Sequence, residues 1–391
     1  MAKKEKNEFS AARKKRRFKI AMLRTKKFIG AVLALAIVCV AVWLFVKEDV
    51  AGIIGDRIAA GSASGASMPV EIAGTAVKET FTVGDNVGVL TDGNVALYAK
   101  NGKQLLSYTH GMTDPIVKAA GRRFLLYDRG GTKLVVRMRD KVLFEKEFDY
   151  KIISANISSD GWITVVTAAQ RYASQLHVWN SAYDEEIFTW SSSGEYIICS
   201  AADSGSKTVA AATLTANASG QMVTTVHIFT TEAAVELGKK DFSGEAAVSL
   251  EYNSSGNVKI ICDSMAAVID RSGNVLGRFD FDRKLISCVN AHGTSGMALV
   301  FDRYTEARAT DVTFIGSRGE QVKTVSVSGK FLCANGNSSH AAVYCDGTAT
   351  VFDYSGNKTA ELTSEQDALL ILLTKESVFA VTRDEICEVK K

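Results

Sequence analysis

The chain has 391 residues, of which 47% are hydrophobic and 23% are charged, and it contains only two prolines. This composition excludes a wholly disordered chain and a collagen-like chain, and the length allows one large or two ordinary domains. The net charge of +3 is unevenly placed, because residues 1–27 contain twelve Lys or Arg against Glu5 and Glu8. A basic segment therefore precedes a body that is net acidic.

Residues 28–46, FIGAVLALAIVCVAVWLFV, contain no charged side chain and predict a transmembrane helix that contacts the lipid bilayer from Phe28 to Val46. Nineteen residues at about 1.5 Å each suffice to cross a hydrocarbon core of about 30 Å. A cleaved signal peptide is the alternative, but its apolar region is shorter and ends at small residues, whereas Lys47 and Glu48 follow this one. The positive charge before the helix predicts a single-pass protein of the cell membrane, with its N-terminus in the cytoplasm.

The basic tail, residues 1–27, is of a kind that contacts phosphates in nucleic acids or in lipid headgroups. Because it adjoins a predicted membrane helix, we expect contact with anionic lipid headgroups and no nucleic acid. Residues 47–67 are predicted to be a juxtamembrane segment that ends in the Gly/Ser linker GSASGAS. The extracytoplasmic domain is then expected to span residues 68–391.

A strand–turn–strand unit recurs along this domain, and a further pair of short apolar strands precedes most copies. Its turns centre on Gly102, Asp140, Gly273, Gly319 and Gly356, and are usually glycine, which supplies the positive φ of such turns. The period is about 42 residues, and four strands per repeat at this period predict an all-β fold, a β-propeller. The clearest copies are VALYAKNGKQLLSY at Val95, LVVRMRDKVLFEKE at Leu134, AAVIDRSGNVLGRF at Ala266, DVTFIGSRGEQVKTV at Asp311 and TATVFDYSGNKTAEL at Thr348.

The last repeat predicts how the ring closes. The segment from Ala368 to Lys391 supplies three strands, and the missing outermost strand is expected from PVEIAGTA, which begins at Pro69. Such closure leaves no exposed strand edge at the seam. The domain length predicts about eight blades, with seven as the alternative.

The basic tail, the apolar helix and repeats such as VIDRSGN at Val268 and VFDYSGN at Val351 resemble a family of uncharacterised single-pass membrane proteins of Gram-positive bacteria. That family carries a WD40-like or quinoprotein-like propeller after one helix. The resemblance covers the whole chain and implies architecture. It carries no established activity, so no functional residue is transferred from it.

Histidines and cysteines give little sign of a metal or cofactor site. The histidines show no metal-type spacing, although His177 and His227 fall at equivalent points of successive blades, and we expect no cofactor. Six cysteines follow Met68, and an even number outside the cell is compatible with disulfides. Their strand-interior positions favour buried packing instead, with Cys199, Cys288 and Cys333 expected in one shared register.

Motifs of catalysis are also missing from the sequence, which contains no GxSxG, P-loop or paired carboxylates. SSDGWITVV at Ser158 only loosely resembles the Asp-box turn of sialidases and fits a blade turn. We therefore expect a non-enzymatic protein. The alternatives are an envelope enzyme acting on glycan in the central channel, and a sensor that signals through a partner.

Three connections between second and third strands are longer than the repeat requires, and loops on a rigid scaffold commonly carry binding sites. They are AAQRYASQ, TANASGQM and FDRYTEARATD. Tyr and Arg are common anchors of protein interfaces, so the sequence predicts a binding site for an envelope or secreted protein on this face. The predicted site residues are Arg171, Tyr172, Arg303, Tyr304 and Arg308.

The predicted topology can be tested with protease on intact protoplasts. Protease should degrade the domain after Ser67 and spare the tail, because only the domain is expected outside the membrane. Epitope tags at the two termini report both outcomes on one blot. Loss of the N-terminal tag with survival of the domain would reverse the orientation.

Overall fold

The computed structural model describes residues 68–72, 76–282, 284–291, 293–302, 309–364, 368–375 and 377–389, with isolated residues 39 and 55. The chain divides into two units, residues 1–64 and 65–391. The predicted tail, transmembrane helix and linker lie outside the described residues, apart from those two positions. Within the described ranges, no helix combines the length and apolar character needed to cross a membrane.

The second unit folds into eight antiparallel sheets of four strands each, which confirms the prediction of an eight-bladed propeller. The first two blades contain β2 (Val77–Val83), β3 (Asn86–Thr91), β4 (Asn94–Tyr98), β5 (Gln104–Thr109), and β6 (Pro115–Ala120), β7 (Arg123–Asp128), β8 (Lys133–Arg137), β9 (Val142–Glu147). The third and fourth contain β10 (Ile152–Ile157), β11 (Ile163–Thr167), β12 (Ser174–Trp179), β13 (Glu186–Ser192), and β14 (Tyr196–Asp203), β15 (Thr208–Ala216), β16 (Met222–Thr230), β17 (Val235–Ser243).

The fifth and sixth blades contain β18 (Ala247–Tyr252), β19 (Val258–Cys262), β20 (Met265–Ile269), β21 (Val275–Asp280), and β22 (Leu285–Val289), β23 (Met297–Asp302), β24 (Ala309–Ile315), β25 (Gln321–Ser328). The seventh contains β26 (Phe331–Gly336), β27 (His340–Cys345), β28 (Thr348–Asp353) and β29 (Lys358–Thr363). The eighth contains β30 (Leu370–Leu373), β31 (Val378–Val381), β32 (Glu385–Val389) and, as its fourth strand, β1 (Val70–Glu71).

The core lies between blades. Every residue of the second and third strands β3, β19 and β20 is buried, because these strands are covered by neighbouring blades on both faces. One apolar cluster, for example, joins Val226 of the fourth blade to Ile260 of the fifth. The first strands of most neighbouring blades contact one another and are innermost, whereas four of the six residues of the fourth strand β9 are exposed.

Ring closure occurs as the sequence predicts. Val70 pairs with Ile386 and Glu71 with Glu385, and the N–H of Ile72 donates to the carbonyl of Asp384 at 2.7 Å. The first strand of the eighth blade also contacts that of the first. The earliest strand of the domain therefore completes the sheet built by the last three.

The alternation of antiparallel strands gives the propeller two different faces. The upper face carries the links between blades and the connections from second to third strands. The lower face carries the turns between first and second strands and between third and fourth strands. Because β1 runs antiparallel to β32, the chain enters the propeller on its lower side and β32 ends there at Val389.

A bulge recurs near the upper end of the first strand in six blades, where one residue is inserted against the second strand. Cys199 and Cys333 come directly after this insertion, but Cys288 lies one residue further on. The predicted shared register is therefore wrong for Cys288, which lies one position further from the same bulge than the other two cysteines. All three are free thiols, and burial raises the pKa of Cys199 and of Cys333 to about 12.

The repeated motifs VIDRSGN and VFDYSGN form the same lower-face turn. Asp270 accepts hydrogen bonds from the N–H groups of Ser272 and Asn274 at 2.8 and 2.9 Å, and Asp353 accepts the equivalent pair. Each aspartate side chain thus satisfies backbone donors that the turn leaves unpaired. The glycine of each turn has positive φ, +83° at Gly273 and +76° at Gly356.

Some turn glycines are also required by contact with the preceding blade. A Cβ on Gly319 would lie 2.4 Å from the carbonyl oxygen of Gly277 in the fourth strand of the fifth blade. A Cβ on Gly277 would lie 2.3 Å from the carbonyl oxygen of Arg318. Two glycines therefore let the turn of one blade pack directly on the outer strand of its neighbour.

Deleting residues 68–72 should open the ring, because Ile386 loses its strand partner and Ile72 its buried site. We expect the free energy of unfolding to fall by about 3 kcal/mol or more. A five-residue deletion of 62–66 in the linker is the matched control. Equal melting temperatures for the two deletions would contradict the closure.

Replacing Gly319 with Ala should destabilise the protein more than replacing Gly220 with Ala. Both glycines have positive φ, +83° and +78°, but no atom lies within 4 Å of a Cβ added at Gly220. The difference between the two variants in free energy of unfolding reports the contact of residue 319 with Gly277. We expect this difference to be about 1–3 kcal/mol when measured by chemical denaturation. Equal destabilisation would mean that only backbone conformation requires Gly319.

Candidate functional site: an apolar arc on the upper face

Large apolar side chains are exposed at twelve described positions, and their distribution is uneven. Five lie on outermost strands near the lower face, at Val142, Val235, Leu237, Val275 and Val322. The other seven lie on the upper face, at Tyr150, Tyr172, Tyr196, Met222, Val248, Leu332 and Leu369. Clustered apolar surface of this kind marks interaction sites.

Five of the seven upper-face residues belong to three consecutive blades, the third to the fifth. Tyr196 is the most exposed, at 62% of its surface, and Val248 follows at 56%. Tyrosine, methionine and arginine are enriched at protein interfaces. We define the upper-face arc as Tyr150, Arg171, Tyr172, Tyr196, Met222 and Val248.

Tyr150 is positioned by the link that enters the third blade. The N–H of Ile152 donates to the carbonyl of Gly131 at 2.7 Å, and the N–H of Ala168 donates to the carbonyl of Lys151 at 2.9 Å. These bonds tie the link to the connections of two blades. Tyr150 is therefore presented from a fixed backbone.

Tyr172 and Met222 are positioned by the long connections of the third and fourth blades. The N–H of Ala173 donates to the carbonyl of Ser192 at 2.9 Å and closes the connection that carries Arg171 and Tyr172. In the next blade, the side chain of Asn217 accepts from the N–H groups of Ser219 and Gln221, each at 3.0 Å. The connection before Met222 is thereby held in an Asx turn.

In the third and in the fourth blade, a side-chain hydroxyl at or near the start of the third strand accepts a hydrogen bond from the link to the next blade. The N–H of Ile197 donates to the Oγ of Ser174 at 2.8 Å, and the N–H of Ala247 donates to the Oγ1 of Thr224 at 3.1 Å. Both hydroxyl residues are fully buried. These bonds fix the backbone beside Tyr196 and Val248.

The link that carries Tyr196 is also anchored by the preceding residue, Glu195. Its Oε2 accepts from the Oγ1 of Thr213 at 2.5 Å and lies 3.0 Å from the Nε2 of His227. Burial opposes ionisation of Glu195, but the hydrogen bonds from Thr213 and His227 outweigh it and lower the pKa of this carboxyl group. The ionised carboxylate of Glu195 therefore stabilises the folded protein at every pH above the usual pKa of glutamate. This stabilisation is lost as the pH falls through the lowered pKa of Glu195.

His227 and His177 occupy equivalent positions, as the sequence predicts, and each contacts a glutamate nine residues later. The Nδ1 of His227 lies 2.7 Å from Glu236, and the Nδ1 of His177 lies 2.6 Å from Glu186. His227 differs in its second carboxylate contact, to Glu195. Trp190 of the third blade packs on its ring, with centroids 4.9 Å apart.

The structure places only part of the predicted site. Arg171 and Tyr172 are exposed on the long connection of the third blade, within the arc. Arg303, Tyr304 and Arg308 lie outside the described residues, on the connection between β23 and β24 of the sixth blade. The third and sixth blades, to which the strands flanking these two connections belong, are separated by two others.

Sequence reasoning missed Tyr150, Tyr196, Met222 and Val248. Val248 is the inserted residue of a bulge, and Tyr196 is the first residue of an innermost strand. An apolar residue at the start of a strand is interpreted as a core residue when only the alternation of apolar and polar residues along the strand is considered. An apolar residue within the first two positions of a first strand is the signal that could have found Tyr196 and Val248, whereas Tyr150 lies two residues before β10 and Met222 begins a third strand.

The innermost strands carry a polar bridge rather than a compact group of carboxylates. The side-chain amide of Asn156 donates to Glu251 at 2.8 Å and to the carbonyl of Ser200 at 3.2 Å, and so joins the third, fourth and fifth blades. Glu79 lies on the first blade, opposite the fifth in the ring, and burial raises its pKa despite the nearby charge of Lys118. Within the described part of the chain, no group of three or more His, Cys, Asp or Glu could hold a metal ion.

Known structures share this fold at low sequence identity. The C-terminal WD40 domain of Sif2 has 12% identity and a TM-score of 0.54, and the match covers 81% of this chain and 99% of that domain. BamB from Moraxella catarrhalis has 11% identity and a TM-score of 0.48, with 82% and 99% covered. The likeness to the Sif2 domain extends to the propeller fold alone.

No match to a curated protein was found. Residues 67–390 match a family described as a family of unknown function, DUF5711. This match covers nearly the whole propeller and most of the chain. The chain therefore belongs to the DUF5711 family.

Proposed function

We propose that this protein is a membrane-anchored, non-enzymatic propeller that binds an extracytoplasmic protein through the upper-face arc. One observation carries the proposal. Among the described residues, seven of the twelve exposed large apolar side chains lie on the upper face, and five of these fall on three consecutive blades. An apolar surface kept on rigid backbone binds with little loss of conformational entropy.

The chemistry of the arc favours a protein partner with an apolar centre. Three tyrosines offer large contact areas and hydroxyl groups that hydrogen-bond at the edge of a contact. Arg171 is the charged member of the arc, so the partner is expected to place a carboxylate opposite it. Lipid headgroups and nucleic acids fit less well, because both call for several clustered cations.

The position of the tether agrees with this assignment. The predicted transmembrane segment precedes β1, and the chain enters the propeller on the lower side. The lower end of β1 is therefore on the face opposite the upper-face arc. A partner in the envelope or outside the cell can then reach the arc while the N-terminus remains in the membrane.

The proposal can be tested by crosslinking in the native membrane. Tyr150→Ser, Tyr172→Ser and Tyr196→Ser together should abolish capture of at least one partner, since each hot-spot residue contributes about 2 kcal/mol, or about thirtyfold in affinity. Exposed tyrosines contribute little to folding, so the melting temperature should stay nearly unchanged.

The matched control replaces three exposed apolar residues outside the arc, Val235→Ser, Leu237→Ser and Val322→Ser. This variant removes similar apolar surface from outermost strands and should retain every partner. Equal capture by the wild-type protein and the tyrosine variant would refute the arc as the binding site. Loss of capture in both variants would point to a general loss of apolar surface instead.

A further inference from the structure

His227 is a junction between the upper-face arc and the outer edge of the fourth blade. It lies on β16 and is buried, at 8% exposure. Its Nε2 lies 3.0 Å from Glu195 on the link before Tyr196, and its Nδ1 lies 2.7 Å from Glu236 on β17. The ring therefore bridges two carboxylates on two separate elements.

The two contacts cannot both be good hydrogen bonds when the ring is neutral. A neutral imidazole has a proton on one nitrogen only, whereas an imidazolium donates from both. If one nitrogen loses its proton, a lone pair faces a carboxylate oxygen. The bridge between the link and β17 is therefore complete only in the protonated form.

The surroundings of His227 include few other charges. From β17, Lys239 lies directly opposite His227 across the strand pair and acts on Glu195. Asp241, further along β17, accepts from the Oγ1 of Thr225 at 2.9 Å. The third blade contributes the apolar ring of Trp190, and β15 contributes Thr213, which donates to Glu195.

We propose that the proton on His227 makes the link carrying Tyr196, and so binding at the upper-face arc, sensitive to pH. Histidine is the side chain that ordinarily changes charge between about pH 5 and 8. With both ring nitrogens protonated, His227 holds Glu195 and Glu236 together and fixes the link. On loss of one proton the bridge breaks at one of the two carboxylates, so the ring no longer joins the link to β17, and Ser174 and Thr213 remain as the other hydrogen-bond partners of the link. The binding consequence rests on the proposed function, whereas the change in the link does not.

The third blade provides a natural comparison. His177 contacts Glu186 through Nδ1, at the position equivalent to the contact of His227 with Glu236. Thr189 also donates to Glu186, at 2.6 Å. A neutral ring with its proton on Nδ1 keeps that contact, so loss of a proton from His177 need not loosen any link.

The test measures amide hydrogen exchange of the full chain in lipid nanodiscs from pH 5 to 8.5, corrected for intrinsic exchange. The amide of Ile197, which donates to Ser174, should exchange about tenfold more slowly at the low end than at the high end, because one charge-assisted bond is lost on deprotonation. No partner protein is needed for this measurement.

Glu236→Gln is the decisive variant. The glutamine amide can donate to Nδ1 while a neutral ring donates from Nε2 to Glu195, so both contacts survive without the extra proton. Exchange at Ile197 should then become independent of pH. Glu186→Gln, the matched control at His177, should leave the pH dependence of the wild-type protein intact.

The outcomes separate this inference from the proposed function. Wild-type exchange without pH dependence, or pH dependence that persists in Glu236→Gln, would overturn the bridge. If the bridge behaves as expected, partner crosslinking is repeated across the same pH range with the wild-type protein and Glu236→Gln. Capture that varies with pH only in the wild-type protein supports regulation, and identical profiles refute it. Failure of the tyrosine variants to lose a partner would refute the arc while leaving the exchange result standing.

Discussion

The burial of each blade between two neighbours is the constraint on which this structure depends. Second and third strands such as β3 and β19 are apolar on both faces, so a blade at an open end would expose half of its core. Closing the ring removes that end. The contact that achieves this is small, since Val70 and Glu71 are the only residues of β1 that pair with β32.

The alternation of strand direction within each blade explains why the two faces differ. On the lower face, consecutive strands of one blade meet in tight turns that are satisfied locally, by aspartate caps as at Asp270 and by glycines that pack on the preceding blade. On the upper face, the chain must pass from the outermost strand of one blade to the innermost strand of the next. Its hydrogen bonds therefore come from other blades, as Ile197 shows with Ser174, and its side chains are left for solvent or a partner.

The sequence was sufficient to predict the features that recur with the repeat and those that depend on residues close together in the chain. The blade number, the closing strand near Val70 and the turns at Gly273 and Gly356 follow from repeat length and turn chemistry. The arc was predictable only at Arg171 and Tyr172, where a loop exceeds the repeat. Val248 was not predicted because a bulge reverses which side chains of the strand face inward and which face outward. Contacts such as that of His227 with Glu195 were not predicted because they join residues 32 apart in sequence, and no sequence pattern relates such positions.

The way the chain enters the ring has a mechanical consequence. The N-terminal segment continues directly into β1, so any force between that segment and a partner on the upper face is carried by β1 and its few bonds to β32. Under tension on that segment, the few bonds between β1 and β32 are therefore the first contacts of the propeller to carry the load.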